Sequence, residues 1–130
     1  MVSDDTTNGL ARISMGKTSA DGVGALGRKG IGIQIAALAL AGQVHDGSSV
    51  TTTSTLKTIT EDEVVDVYIV SDGGGNVEWF FDDVSIGTST GGPAVVGTAA
   101  ESRIYVEVDN GADSAVQRIE VNEIWIADLG

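Results

Sequence analysis

Apolar and polar residues alternate along much of the chain in short runs, separated by clusters of glycine, aspartate and serine. In the clearest run Val77, Trp79 and Phe81 share one face, and Asn76, Glu78, Phe80 and Asp82 share the other. This period of two predicts a strand with one buried side. Before it, Val65, Val67 and Ile69 alternate against Val64, Asp66, Tyr68 and Val70. The segment between them, Ser71-Asp72-Gly73-Gly74-Gly75-Asn76, predicts a hairpin, because its glycines supply the positive φ angles of the turn. Asp82-Asp83 reads as the next turn, and Val84 to Gly87 as the strand after it.

Upstream, Ile31, Ile33, Ile35, Ala37 and Ala39 form the filled face of a strand over 31–40. A helix competes over IQIAALALAG, and the β-branched alternation at its start favours the strand. Val50 to Ile59 predicts a Thr-rich strand solvated on one face, flanked by turns at His45-Asp46-Gly47 and Thr60–Glu63. Ser14 to Gly30 reads as a long loop, or a loop with a short turn of helix, and Thr88 to Ala100, with Pro93, as a loop. RIYVEVD places Ile104, Val106 and Val108 inward, and DNGAD turns the chain. A last strand over Arg118 to Ala127 changes its inward phase at Asn122–Glu123, which predicts a β-bulge. Residues 1–8 predict a polar, mobile arm, and residues 9–130 a single all-β domain, an antiparallel β-sandwich.

Composition agrees with this reading. The 130 residues suffice for one domain with a modest core, and eighteen glycines with a single proline suit short strands and tight turns. Nineteen acids against seven bases give a net charge of −12 and a pI near 4.1. That charge repels phosphates and anionic lipid, so no nucleic-acid partner and no membrane insertion are expected. An acidic surface with only three lysines also suits a high-salt habitat. The start, MVSDDTTNGL, has neither the basic nor the apolar region of a secretory signal.

Without cysteine there is no disulfide, thiolate metal site or Cys nucleophile. His45, the only histidine, reads as an exposed turn residue, since zinc would need three further oxygen ligands. No G-x-S-x-G context accompanies it. The hard-oxygen residues Asp82, Asp83, Asp109, Asn110 and Asp113 are calcium candidates, although Asp-Gly and Asn-Gly pairs also serve turns. Trp79 reads as core. Trp125, opposite Ile124 and Ile126, is the candidate for an exposed interface or glycan contact.

The order VVDVYIVSDGGGNVEWFFDDVSIGTST, a proline loop and a closing RIEVNEIWIADL resembles the second half of concanavalin A-like lectin/glucanase jelly rolls. It looks most like those of tailed-virus structural proteins. The resemblance covers roughly residues 30–130, with Asp83 where the family usually has glycine and the first strands either missing or compressed into residues 9–30. It implies a jelly-roll topology. The family's glucanases carry an E-x-D-x-(x)-E strand, of which Glu107-Val108-Asp109 supplies only the first half, so no catalytic residues and no enzyme activity are expected. The resemblance instead implies a non-enzymatic virion structural protein at the virion surface: a capsid decoration, turret or fibre-type appendage. Its expected partners are capsid or other virion proteins and copies of itself, with a trimer the expected oligomer. The alternative is a carbohydrate-binding module directed at host-surface or other polysaccharide glycans.

Overall fold

Period-two alternation becomes antiparallel pairing throughout the residues that the computed structural model describes, namely 2–3, 10–15, 29–60, 62–93, 104–109, 119–121 and 123. These residues form β1 (Val2–Ser3), β2 (Leu10–Met15), β3 (Gly30–Ala36), β4 (Ala39–His45), β5 (Val50–Thr52) and β6 (Lys57–Thr58). They continue with β7 (Val67–Ser71), β8 (Val77–Phe81), β9 (Val84–Ser89), β10 (Ile104–Asp109) and β11 (Ile119–Glu120). Among the described residues there is no helix. The strands make a six-stranded sheet in the order β10-β2-β3-β4-β5, with β6 also on β4. A three-stranded sheet, β7-β8-β9, and the pair β1-β11 complete the set. The fold is all-β and antiparallel, as the alternation predicts.

The two larger sheets meet through one apolar core. Ile33, Ile35, Leu40 and Val44 from the six-stranded sheet cluster with Val77, Trp79 and Phe81 from the three-stranded one, joined by Ile59 and Val65. Trp79 is fully buried and donates its indole N–H to the carbonyl of Gly32 at 3.1 Å, so a hydrogen bond as well as packing ties the sheets together. Gly42 makes this contact possible: a Cβ there would lie 2.4 Å from the Trp79 ring. The architecture is sandwich-like, with Val77, Trp79 and Phe81 facing inward as predicted.

Several elements differ from the sequence reading. The run 31–40 is two strands rather than one, turning at Ala37 and Leu38 with φ of 47° and 63°. A two-residue hairpin turn requires such positive values, yet neither residue advertises them as Asn-Gly would. Leu10–Met15 is a strand between β10 and β3, so Ser14 and Met15 belong to a ladder rather than to the start of a loop. Val2–Ser3, inside the expected polar arm, pair with Ile119–Glu120. The Thr-rich strand is broken into β5 and β6: Thr53 bonds Gly42, and the ladder resumes only at Leu56, whose N–H reaches the Leu40 carbonyl.

The predicted inward set of β10 also needs correction. Val106 shares a cross-strand row with Ile13, Ile33 and Gly42, so it does lie on the core side of the sheet. Yet Val106 and Val108 are 47% and 42% exposed, because β10 lies beyond β2 and the core cluster draws its large-sheet residues from β3 and β4. The predicted phase change at Asn122–Glu123 and most of the last strand lie outside the described residues.

Candidate functional site

Asp82 and Asp83 form the two-residue turn joining β8 to β9, with φ of 46° and 66°. Aspartate tolerates this left-handed conformation better than most residues, which explains how the pair Asp82-Asp83 can make the turn. Both carboxylates have structural partners. Asp82 Oδ1 accepts the Asp66 N–H at 3.1 Å, while the Asp82 N–H donates to the Asp66 carbonyl at 2.9 Å. Asp83 Oδ1 accepts the Tyr68 hydroxyl. That hydrogen bond, reinforced by the negative charges of Asp83, Asp66 and Asp82, holds the Tyr68 phenol pKa above its ordinary value.

The hairpin register then builds a surface. Tyr68 stands opposite Phe80 and Phe80 opposite Ser85, while Val70 stands opposite Glu78 and Glu78 opposite Thr88. These residues lie on the side of β7-β8-β9 away from the core, since Val77, Trp79 and Phe81 occupy the other side. The Tyr68 and Phe80 rings are tilted by 43° with centroids 6.1 Å apart, within the range of favourable aromatic pairs. Tyr68 and Val70 are 39% and 40% exposed. Ser85 Oγ donates to Glu78 Oε1, and Asp66 and Asp83 flank the aromatic pair. The outward alternation of Tyr68, Val70, Glu78 and Phe80 is visible in the sequence. Their assembly into an aromatic pair set among carboxylates depends on hairpin register, which one strand at a time does not reveal.

The other sequence candidates do not gather around this surface. Among the described residues, no three His, Cys, Asp or Glu side chains are grouped as metal ligands. Asp109 ends β10 in the larger sheet, whereas Asp82 and Asp83 turn the smaller one. Asn110, Asp113 and Trp125 lie outside the described residues. His45 is buried rather than exposed, and its Nδ1 accepts the Gly47 N–H at 2.9 Å, closing the β4–β5 turn. Asp46 caps the same turn by accepting the N–H groups of Ser48 and Ser49.

Sequence reading missed a buried polar row on the far side of the six-stranded sheet. Arg12, Ser14, Gln43 and His45 are all buried there. Arg12 Nη1 lies 3.6 Å from Glu107 Oε2, and Arg12 Nη2 donates to Gln34 Oε1 at 3.2 Å. Gln43 Nε2 donates to the same Gln34 oxygen at 2.7 Å and to Thr52 Oγ1 at 3.2 Å. Burial lowers the Arg12 pKa, and Glu107 acts in the opposite sense by favouring the charged form. Glu107, the acid that began the E-x-D pattern, is therefore the counterion of a buried arginine.

The geometry offers an exposed aromatic and acidic sheet face and a structural ion pair. No protein-family model matches this chain, and no curated protein or solved structure matches it either.

Proposed function

We propose that the chain is a non-enzymatic structural protein that works by protein–protein contact. In this reading it decorates a capsid or forms a turret or fibre-type appendage at a virion surface, through a jelly-roll, concanavalin A-like sandwich. The observation that carries it is where the exposed apolar groups lie. Tyr68 and Val70 stand on the outer face of the three-stranded sheet, and Val106 and Val108 on β10, the outermost strand of the larger sheet among the described residues. Broad sheet faces and edges are contact surfaces for other chains. The return of the chain from the small sheet to place β10 beside β2 is the described crossover that suits a jelly roll.

Self-association through the β10 edge into a symmetric oligomer, a trimer, follows from the same reading. Sedimentation equilibrium of the purified chain tests it. A concentration-dependent trimer that falls to monomer on Val106→Lys with Val108→Lys is expected, and a monomer at all concentrations sinks the oligomer. Antibody labelling of particles from the host tests the virion assignment, which fails if the chain is absent from particles.

The second reading is a glycan-binding module, favoured by the Tyr68–Phe80 pair with hydrogen-bonding carboxylates beside it. A glycan array decides this reading: binding abolished by Tyr68→Ala or Trp125→Ala supports a module. No signal on any glycan removes it, and calcium in the buffer tests a cation requirement in the same experiment.

A further inference from the structure

The charge of the chain is unevenly placed. Between Lys57 and Arg103 there are nine acids and no lysine, arginine or histidine, and this stretch contains the whole three-stranded sheet. Its outer face therefore combines Tyr68, Val70 and Phe80 with Asp66, Glu78 and Asp83, without an internal cation to neutralise them. Glu78 and Asp83 each commit one oxygen to a hydroxyl, from Ser85 and Tyr68, which fixes the carboxylates beside the rings. Lys57, the cation just before this stretch, sits with Nζ 4.4 Å from the ring centre of the core residue Phe81, so it serves the inner side of the sheet and leaves the outer face acidic.

We infer that the outer face of β7-β8-β9 is a docking surface for an extended basic segment of a partner protein, one that alternates Lys or Arg with apolar residues. The inference rests on the protein–protein reading above and names the partner's chemistry. An extended chain repeats its side chains every two residues. The facing apolar set packs on Tyr68, Val70 and Phe80, and the long flexible stems of the alternate Lys or Arg set bend around the segment to bring their charged ends to Asp66, Glu78 and Asp83. A second copy of this face is excluded as occupant by like-charge repulsion, and nucleic acid is excluded by its phosphates. The acids also steer a basic segment toward the face and make its capture sensitive to salt.

The test is a titration of the intact, isotope-labelled chain with an alternating Lys-Val peptide of about eight residues, long enough to cross three strands. Amide shifts report the binding site. Expected perturbations fall at Tyr68, Val70, Glu78, Phe80 and Ser85, and affinity drops about tenfold or more as salt rises from roughly 50 to 200 mM. Tyr68→Ser and Glu78→Gln should each weaken binding severalfold. Asp46→Asn, which removes the same charge from the β4–β5 turn, should leave it unchanged.

Equal weakening by Asp46→Asn and Glu78→Gln would reduce the effect to bulk charge and overturn the proposal. So would shifts confined to other surfaces, or tighter binding of a Glu-Val peptide. A chain that self-associates and labels particles yet ignores the peptide loses this inference while the protein–protein reading stands. A neutral oligosaccharide that shifts the same amides, with Tyr68→Ser abolishing the effect, overturns both in favour of the glycan module.

Discussion

Gly42→Ala tests whether the contact between the two sheets is as close as the packing requires. The added Cβ would lie 2.4 Å from Cε2 and Cζ2 of Trp79 and 2.8 Å from Cδ2. Carbon atoms in ordinary contact are about 3.5 to 4.0 Å apart, so the indole must retreat by roughly 1 Å. It has no free space to enter, since Trp79 is 0% exposed within the core cluster. Retreat also lengthens its 3.1 Å bond to the Gly32 carbonyl beyond useful range. Overpacking costs about 1 to 3 kcal/mol and the lost hydrogen bond about 1 more, giving roughly 2 to 4 kcal/mol.

Urea unfolding followed by far-ultraviolet circular dichroism measures this loss without relying on either tryptophan's fluorescence. A cycle with Trp79→Phe isolates the contact. The smaller ring lacks the indole atoms that the added methyl group would strike, so Gly42→Ala should cost under about 1 kcal/mol in that background. A loss below about 0.5 kcal/mol in the native background, or equal losses in both, would refute this account of the interface.

Three further outcomes follow from the described geometry. Arg12→Ala should cost roughly 2 to 4 kcal/mol in the same urea assay, because it strips the counterion from the partly covered Glu107. Arg12→Met combined with Glu107→Leu should cost less than Arg12→Ala alone; a larger cost would show that the ion pair itself stabilises the sheet. At the exposed Ala37, with φ of 47°, Ala37→Gly should stabilise by roughly 0.5 kcal/mol, whereas Leu38→Gly should destabilise by removing a side chain packed against the core. Asp72→Ala should lower the melting temperature at neutral pH. The Asn76 side-chain amide, then the N–H groups of Gly74 and Asn76, depress the Asp72 pKa below its ordinary value. A depressed folded-state pKa stabilises the fold above the ordinary carboxylate value and loses that effect as pH falls through the lowered one. The gap between native and Asp72→Ala melting temperatures should therefore shrink on acidification below the carboxylate range, and a constant gap would contradict the shift.

Local pattern determined the strand character of 67–71, 77–81 and 84–87 and the turns between them, while Thr88 and Ser89, expected in a loop, extend the last of these strands. Those signals are carried by residues adjacent in sequence: alternating apolar side chains, Gly73 and Gly75 at positive φ, and paired aspartates. The placement of Trp79 in the core needs nothing beyond its strand neighbours. The Tyr68–Phe80 face was half legible, since the outward residues could be named but not their pairing.

What remained was decided by tertiary contacts that no short window contains. LARISM alternates Arg12 and Ser14 with Ala11 and Ile13, and the burial of Arg12 and Ser14 shows that this polar side is covered too, which no local signal announces. Glu107 sits beneath the sheet where register sets it opposite Arg12, which lies far away in the chain. Val106 and Val108 carry an inward pattern yet stay exposed, because strand order and the reach of the opposing sheet, not alternation, determine which part of a sheet face is covered. The chain thus encodes which faces differ, and long-range packing determines which of them meets water.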